Sequence, residues 1–134
     1  MEESCGTLLY PGTPHDINKI SYNIKNIQLE FFTDSGVFSK KQVDFGTHVM
    51  LTTLPALKGK ILDLGCGYGA IGITTARLNP ESTVIMSDIN ERAVELANQN
   101  IKLNKVANAK VLQSNGFENI TGSYDYIITN PPIR

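Results

Sequence analysis

The chain has 134 residues, a formal net charge of −1, and 41% apolar against 19% charged residues. These values fit one globular domain able to bury a core. They exclude a strongly basic nucleic-acid binder, and no apolar run is long enough to span a bilayer. Cys5 and Cys66 are too few for a disulfide framework, and with only His15 and His48 beside them no metal site is expected. The start Met1-Glu2-Glu3-Ser4 is acidic and polar, unlike a secretory signal, so a reduced cytoplasmic setting is expected.

Residues 1–21 contain Pro11, Gly12 and Pro14 without periodicity and read as a loosely ordered lead-in, with the domain proper over 22–134. Ile27, Leu29 and Phe31 alternate with polar residues, which predicts a strand. Asp34-Ser35-Gly36 reads as a turn into a return strand at Val37-Phe38, making an N-terminal hairpin. Asp44 then precedes Gly46-Thr47 and the helically spaced Met50, Leu54 and Leu57, a capped helix ending near Lys58-Gly59. Lys19, Lys25, Lys40 and Lys41 read as solvated surface.

From Lys60 onward strand and helix alternate. Strands are predicted at 61–64, 83–87, 109–113 and 124–129, and helices at 70–78 and 90–103, the first stopped by Asn79-Pro80. Such alternation implies parallel pairing, right-handed crossovers and a doubly wound α/β sheet. The expected strand order is 3-2-1-4, counting from 61–64.

Three features carry chemistry. Asp63-Leu64-Gly65-Cys66-Gly67-Tyr68-Gly69 leaves a strand and opens a helix, where glycines permit a tight turn and close approach of a ligand. Asp88 ends the next strand, where a carboxylate can accept bonds from both hydroxyls of a ribose. Gly67, Gly69 and Gly72 satisfy the spacing of a dinucleotide site, but Asp63 beside the loop would repel a pyrophosphate. S-adenosylmethionine, cationic at its sulfonium and ammonium and free of phosphate, suits the acid better than NAD. Third, Asn130-Pro131-Pro132-Ile133 follows the last strand at its carboxyl end, where open α/β sheets bind ligands. The prolines end the strand and stiffen the turn. The tetrapeptide reads either as a plain proline turn or as a fixed cluster of acceptors for an exocyclic amine.

Taken together, the 63–69 loop, Asp88-Ile89-Asn90 and Asn130-Pro131-Pro132 resemble the class I S-adenosylmethionine-dependent methyltransferases. With Gly36-Val37-Phe38-Ser39 and Asp44-Phe45-Gly46-Thr47 added, the chain is similar to the small "MTS" methyltransferase domain, which includes guanine-N2 methyltransferases of small-subunit ribosomal RNA. The resemblance runs from about Phe31 to the last residue. It implies that Gly65 and Gly67 line the methionine end of the cofactor, with Asp63 near its amino group. Asp88 would hold the ribose, Ile89 pack on adenine, and Gly46 and Thr47 border the cofactor. Asn130 would bind the target amine, aided by the Pro131 carbonyl, with Pro132 and Ile133 completing the motif. Relatives carry Asp where this chain has Asn115, which still accepts a bond from the adenine amine but without charge. Members of the family continue for further strands and helices past the Asn-Pro-Pro motif, so a longer enzyme is expected. The implied activity is methyl transfer to an exocyclic amine, guanine N2 of ribosomal RNA first. Ile133, where adenine-N6 and glutamine-N5 enzymes carry an aromatic, disfavours those acceptors. A cofactor-binding piece without catalysis stays as the alternative for 134 residues alone.

Overall fold

The computed structural model of the protein describes residues 17–34 and 43–129. Two strands come first, β1 (Ile17–Ile24) and β2 (Ile27–Asp34), paired antiparallel from Ile17 opposite Asp34 to Ile24 opposite Ile27. Lys25 and Asn26 join them with φ of 47° and 69°. Positive φ at both central residues marks the two-residue turn whose twist matches that of a hairpin. The hairpin therefore differs from expectation. Residues 17–21 belong to a strand and not to a loose lead-in, and the partner of β2 is β1. The return strand expected at Val37-Phe38 lies outside the described residues. The signal for β1 was present: Ile20, Tyr22 and Ile24 alternate with Ser21 and Asn23, and all three are buried. They share a core with Leu29 and Phe31 of β2.

Helix α1 (Phe45–Thr53) starts where expected: Asp44 is its N-cap, accepting the Thr47 N–H through Oδ2 at 3.3 Å. It stops well before Lys58-Gly59. Leu54 is extended, with ψ 135°, because the ring of Pro55 excludes the helical conformation from the residue before it.

The remaining elements alternate: β3 (Gly59–Leu64), α2 (Ala70–Leu78), β4 (Ser82–Asp88), α3 (Glu91–Leu103), β5 (Ala109–Gln113) and β6 (Tyr126–Thr129). Four of them form a parallel sheet in the order β5-β4-β3-β6, the predicted 3-2-1-4. Ile61, Leu62, Val84 and Met86 in the two central strands are at most marginally exposed, as strands covered on both faces require. Helix α3 turns Ala93, Leu96, Ala97 and Ile101 inward as its periodicity predicts, together with Asn100. Helix α2 is buried along nearly its whole length, including Thr74 and Thr75. Among the described residues no helix is long and apolar enough to cross a membrane.

Candidate functional site

Strands β3 and β4 end side by side, Leu64 opposite Ser87, and the glycine-rich loop 65–69 springs from this end of the sheet. The loop hangs from β4. The Ser87 carbonyl accepts the N–H groups of both Gly65 and Cys66 at 2.8 Å. Oδ2 of Asp88 accepts the Gly67 N–H at 2.8 Å, while Oδ1 accepts the Asn90 N–H at 2.9 Å. One carboxylate thus braces the loop and the entry to α3, which Asn90 caps. Each carboxylate oxygen retains lone pairs for further donors. Gly69 closes the loop as the N-cap of α2 with φ 104°, a conformation that only glycine adopts without strain.

Asp63 does not stand at the mouth of the loop. It lies beneath it, 1% exposed, in contact with the start of α2. Burial pushes its carboxyl up to about 7; the Gly72 N–H acts in the opposite direction, and the charge of Asp88 adds to the rise. Oδ2 is buried without a hydrogen-bond partner among the described residues. A buried acceptor left unmatched is costly, and burial favours the protonated carboxyl there. Cys66, the next group along, is buried; burial raises its thiol well above the ordinary value, followed by the charges of Asp63 and Asp88, so it stays a neutral thiol.

The other predicted residues that are described lie on neighbouring elements. Ile89 leaves β4 with 60% of its surface exposed, an apolar side chain with no core to fill. Asn115 sits in the turn after β5, exposed. That turn is tied to the Ile89 loop: Gln113 Nε2 donates to the Ile89 carbonyl at 3.0 Å, and Asn119 Nδ2 donates to that of Gln113 at 3.0 Å. Gly46 and Thr47 form the first turn of α1, which packs on α2. Asp44 is near enough to the loop that its charge, second to burial, helps push the Tyr68 phenol up to about 12. Asn130, Pro131, Pro132 and Ile133 lie outside the described residues. Thr129, the last described residue, pairs with Leu64 at the root of the loop. Lys40 and Lys41 are likewise outside. Lys19 is engaged locally, 3.4 Å from Glu30 and over the Phe32 ring, and Lys25 donates to the Leu54 carbonyl at 3.5 Å.

Sequence reasoning missed three groups here. Phe117, 57% exposed, shares the turn with Asn115. Tyr22 reaches from β1 to His48 of α1, hydroxyl to Nδ1 at 2.7 Å. Asn100 on α3 donates to the Tyr68 carbonyl at 2.8 Å. Two had a sequence signal: Tyr22 in the alternation of β1, and Asn100 as an amide on the apolar face of an amphipathic helix. Among the described residues no group of three His, Cys, Asp or Glu is placed to hold a metal ion.

A family model described as the methyltransferase small domain matches residues 28–134. The chain belongs to that family. Among curated relatives it is 46% identical over 118 residues to the uncharacterized protein YbxB of Bacillus subtilis, covering 85% of this chain and 59% of that one. It is 39% identical over 126 residues to ribosomal RNA small subunit methyltransferase C of Actinobacillus succinogenes, covering 90% of this chain and 38% of that one. The chain therefore spans between about two-fifths and three-fifths of the length of these relatives. Among solved structures, precorrin-6y C5,15-methyltransferase of Geobacter metallireducens superposes with a TM-score of 0.62 at 18% identity, over 74% of this chain and 53% of that one. At that identity the likeness is one of fold: a Rossmann-like methyltransferase sheet with an antiparallel hairpin before it.

Proposed function

We propose that this chain carries the cofactor-binding part of an S-adenosylmethionine-dependent N-methyltransferase acting on small-subunit ribosomal RNA at guanine N2. The observation that carries the cofactor is the pair of acids at the loop. Asp63 offers a buried carboxylate oxygen without a partner, and Asp88 stands at the end of the adjacent strand. A phosphate-free cation satisfies such a site, whereas a pyrophosphate would meet two carboxyl groups. Other features fit the same ligand. A side chain on Gly65 would meet nothing within 4 Å, so the loop borders open space there. Ile89 presents an exposed apolar surface for adenine.

On this reading the charge of Asp63, buried beneath the loop, draws the ammonium toward the loop, and Gly65 and Gly67 let the methionine end lie against the backbone. Asp88 receives the ribose hydroxyls, Asn115 accepts from the adenine amine, and Gly46 and Thr47 border the site from α1. The bound cofactor supplies an electrophilic methyl group. The Asn130 side-chain oxygen and the Pro131 carbonyl accept the two N–H groups of the target amine and aim its lone pair, Pro132 keeps the turn stiff, and Ile133 lies against the base. Alignment does most of the work. No strong base is needed, because the proton can leave after the methyl arrives. The base must be unpaired or flipped out. The similarity to a ribosomal RNA small subunit methyltransferase supports the RNA substrate, which sets the reaction in the cytoplasm.

The test is transfer of tritiated methyl from S-adenosylmethionine to small ribosomal subunits, followed by nucleoside analysis. Labelled N2-methylguanosine is expected, with Asn130→Ala slower by on the order of a hundredfold at unchanged cofactor affinity. Label in adenosine, or in release-factor protein offered in parallel, would reassign the acceptor.

A further inference from the structure

Asn100 is fully buried in the middle of α3, and every polar atom of its side chain is used. Its Oδ1 accepts the Phe32 N–H at 2.7 Å, and its Nδ2 donates to the Phe32 carbonyl at 3.0 Å and to the Tyr68 carbonyl at 2.8 Å. The orientation of the amide is forced, because a backbone N–H can meet only its oxygen. One turn on, Asn104 repeats the pattern on Glu30: Oδ1 accepts the N–H at 3.0 Å and Nδ2 donates to the carbonyl at 2.7 Å. Four helical residues rise about 6 Å and two strand residues about 6.6 Å. The two amides therefore meet β2 in step, as a neighbouring strand would. The difference between them lies in the third bond. Asn104 turns back to the Asn100 carbonyl at 2.8 Å, whereas Asn100 reaches the glycine loop.

That bond holds the Tyr68–Gly69 peptide. The N–H of this peptide donates to the Cys66 carbonyl at 3.0 Å, and Gly69 takes its left-handed φ directly after it. With its carbonyl released, the peptide plane can rotate and the loop changes shape, although Ser87 and Asp88 still grip its first half. The geometry points to Asn100 as a positioning residue for the cofactor loop, setting the Tyr68–Gly69 peptide and locking it to the hairpin through β2. This role rests on the cofactor assignment above. The edge-on contact of the Phe31 and Tyr68 rings, 5.6 Å between centroids, packs the same two segments together.

Asn104 supplies the control, since it clamps the hairpin without touching the loop. Amide hydrogen exchange and calorimetric titration with S-adenosylhomocysteine are compared in the full chain for Asn100→Ala, Asn104→Ala and Asn100→Leu, the last filling the same space without polar atoms. Both Asn100 variants should speed exchange at Gly69 and weaken binding on the order of tenfold, the loss of a buried hydrogen bond. Asn104→Ala should speed exchange at Glu30 and leave Gly69 and the affinity within about twofold of wild type. Equal effects from the two asparagines, or unchanged Gly69 exchange in the Asn100 variants, would reduce Asn100 to a hairpin clamp. A wild-type protein that binds no S-adenosylhomocysteine removes the cofactor assignment, while the exchange comparison still decides the role of Asn100.

Discussion

Asp63 and Asp88 are chemically alike and differently housed, and the housing decides what each does. Asp63 is buried with one oxygen unmatched, and its carboxyl rises from the ordinary 3.8 to about 7. Between those values the folded chain keeps a proton that the unfolded chain has released. The contribution to stability is therefore complete below about pH 4 and is lost as pH rises through about 7. Urea unfolding at pH 5 and pH 8 should show this fall in the wild type and a flatter profile in Asp63→Asn; parallel profiles would mean that Asp63 ionises normally. A cationic ligand favours the ionised form, so cofactor affinity should rise across the same window and lose that rise in Asp63→Asn. Asp88 is tied to the Gly67 and Asn90 N–H groups. Asp88→Ala should weaken S-adenosylmethionine binding by roughly 1–3 kcal/mol through lost charge-assisted bonds, measured by calorimetry. An unchanged affinity would leave Asp88 as a brace for the loop alone.

At the level of elements, the join between β3 and α2 determines the shape of the site. Helix α2 lies so close to the sheet that a methyl group on Gly72 would stand 2.5 Å from Met86 Cγ and 2.8 Å from Asp63 Oδ2. Gly72→Ala should cost about 1–3 kcal/mol by overpacking, read as a lower melting temperature, and should disturb the titration of Asp63. A melting temperature equal to wild type would show that α2 has room to lift. Most of these elements could be read from residue pattern. The alternation of apolar strands with amphipathic helices placed β3 through β6, and Asp44 and Asn90 marked helix starts that the structure shows as caps. The failures were local. Pro55 ends α1 early, and the first half of β1 fell in a lead-in, 1–21, read from its prolines, although Ile20 begins an alternation that Tyr22 and Ile24 continue beyond it.

For the molecule as a whole, the parallel sheet has unequal borders. Among the described residues β6 pairs only with β3, and Tyr126 and Ile127 are 43% and 53% exposed. Apolar side chains on an open strand edge invite pairing with another chain. The 134-residue chain prepared alone should self-associate in sedimentation measurements, and Ile127→Lys should shift it toward monomer. Equal sedimentation of the two would mean that β6 is covered.

The sequence by itself determined the parallel α/β sheet, because alternation and crossover handedness act through local pattern and a few packing rules; the strand order was expected from the family resemblance, since those rules admit more than one order. It also marked the glycine loop and Asp88, which the structure sets together at the ends of β3 and β4, and the Asn130 motif, which lies outside the described residues. Only the tertiary structure decided that Asp63 is buried beneath the loop, that β2 pairs with β1, and that Asn100 joins the hairpin to Tyr68. Burial, strand pairing and the partners of an amide depend on segments far apart in the chain: Asn100 meets residues 68 and 32 positions away. No window of sequence contains both ends of such a contact; folding alone brings them together.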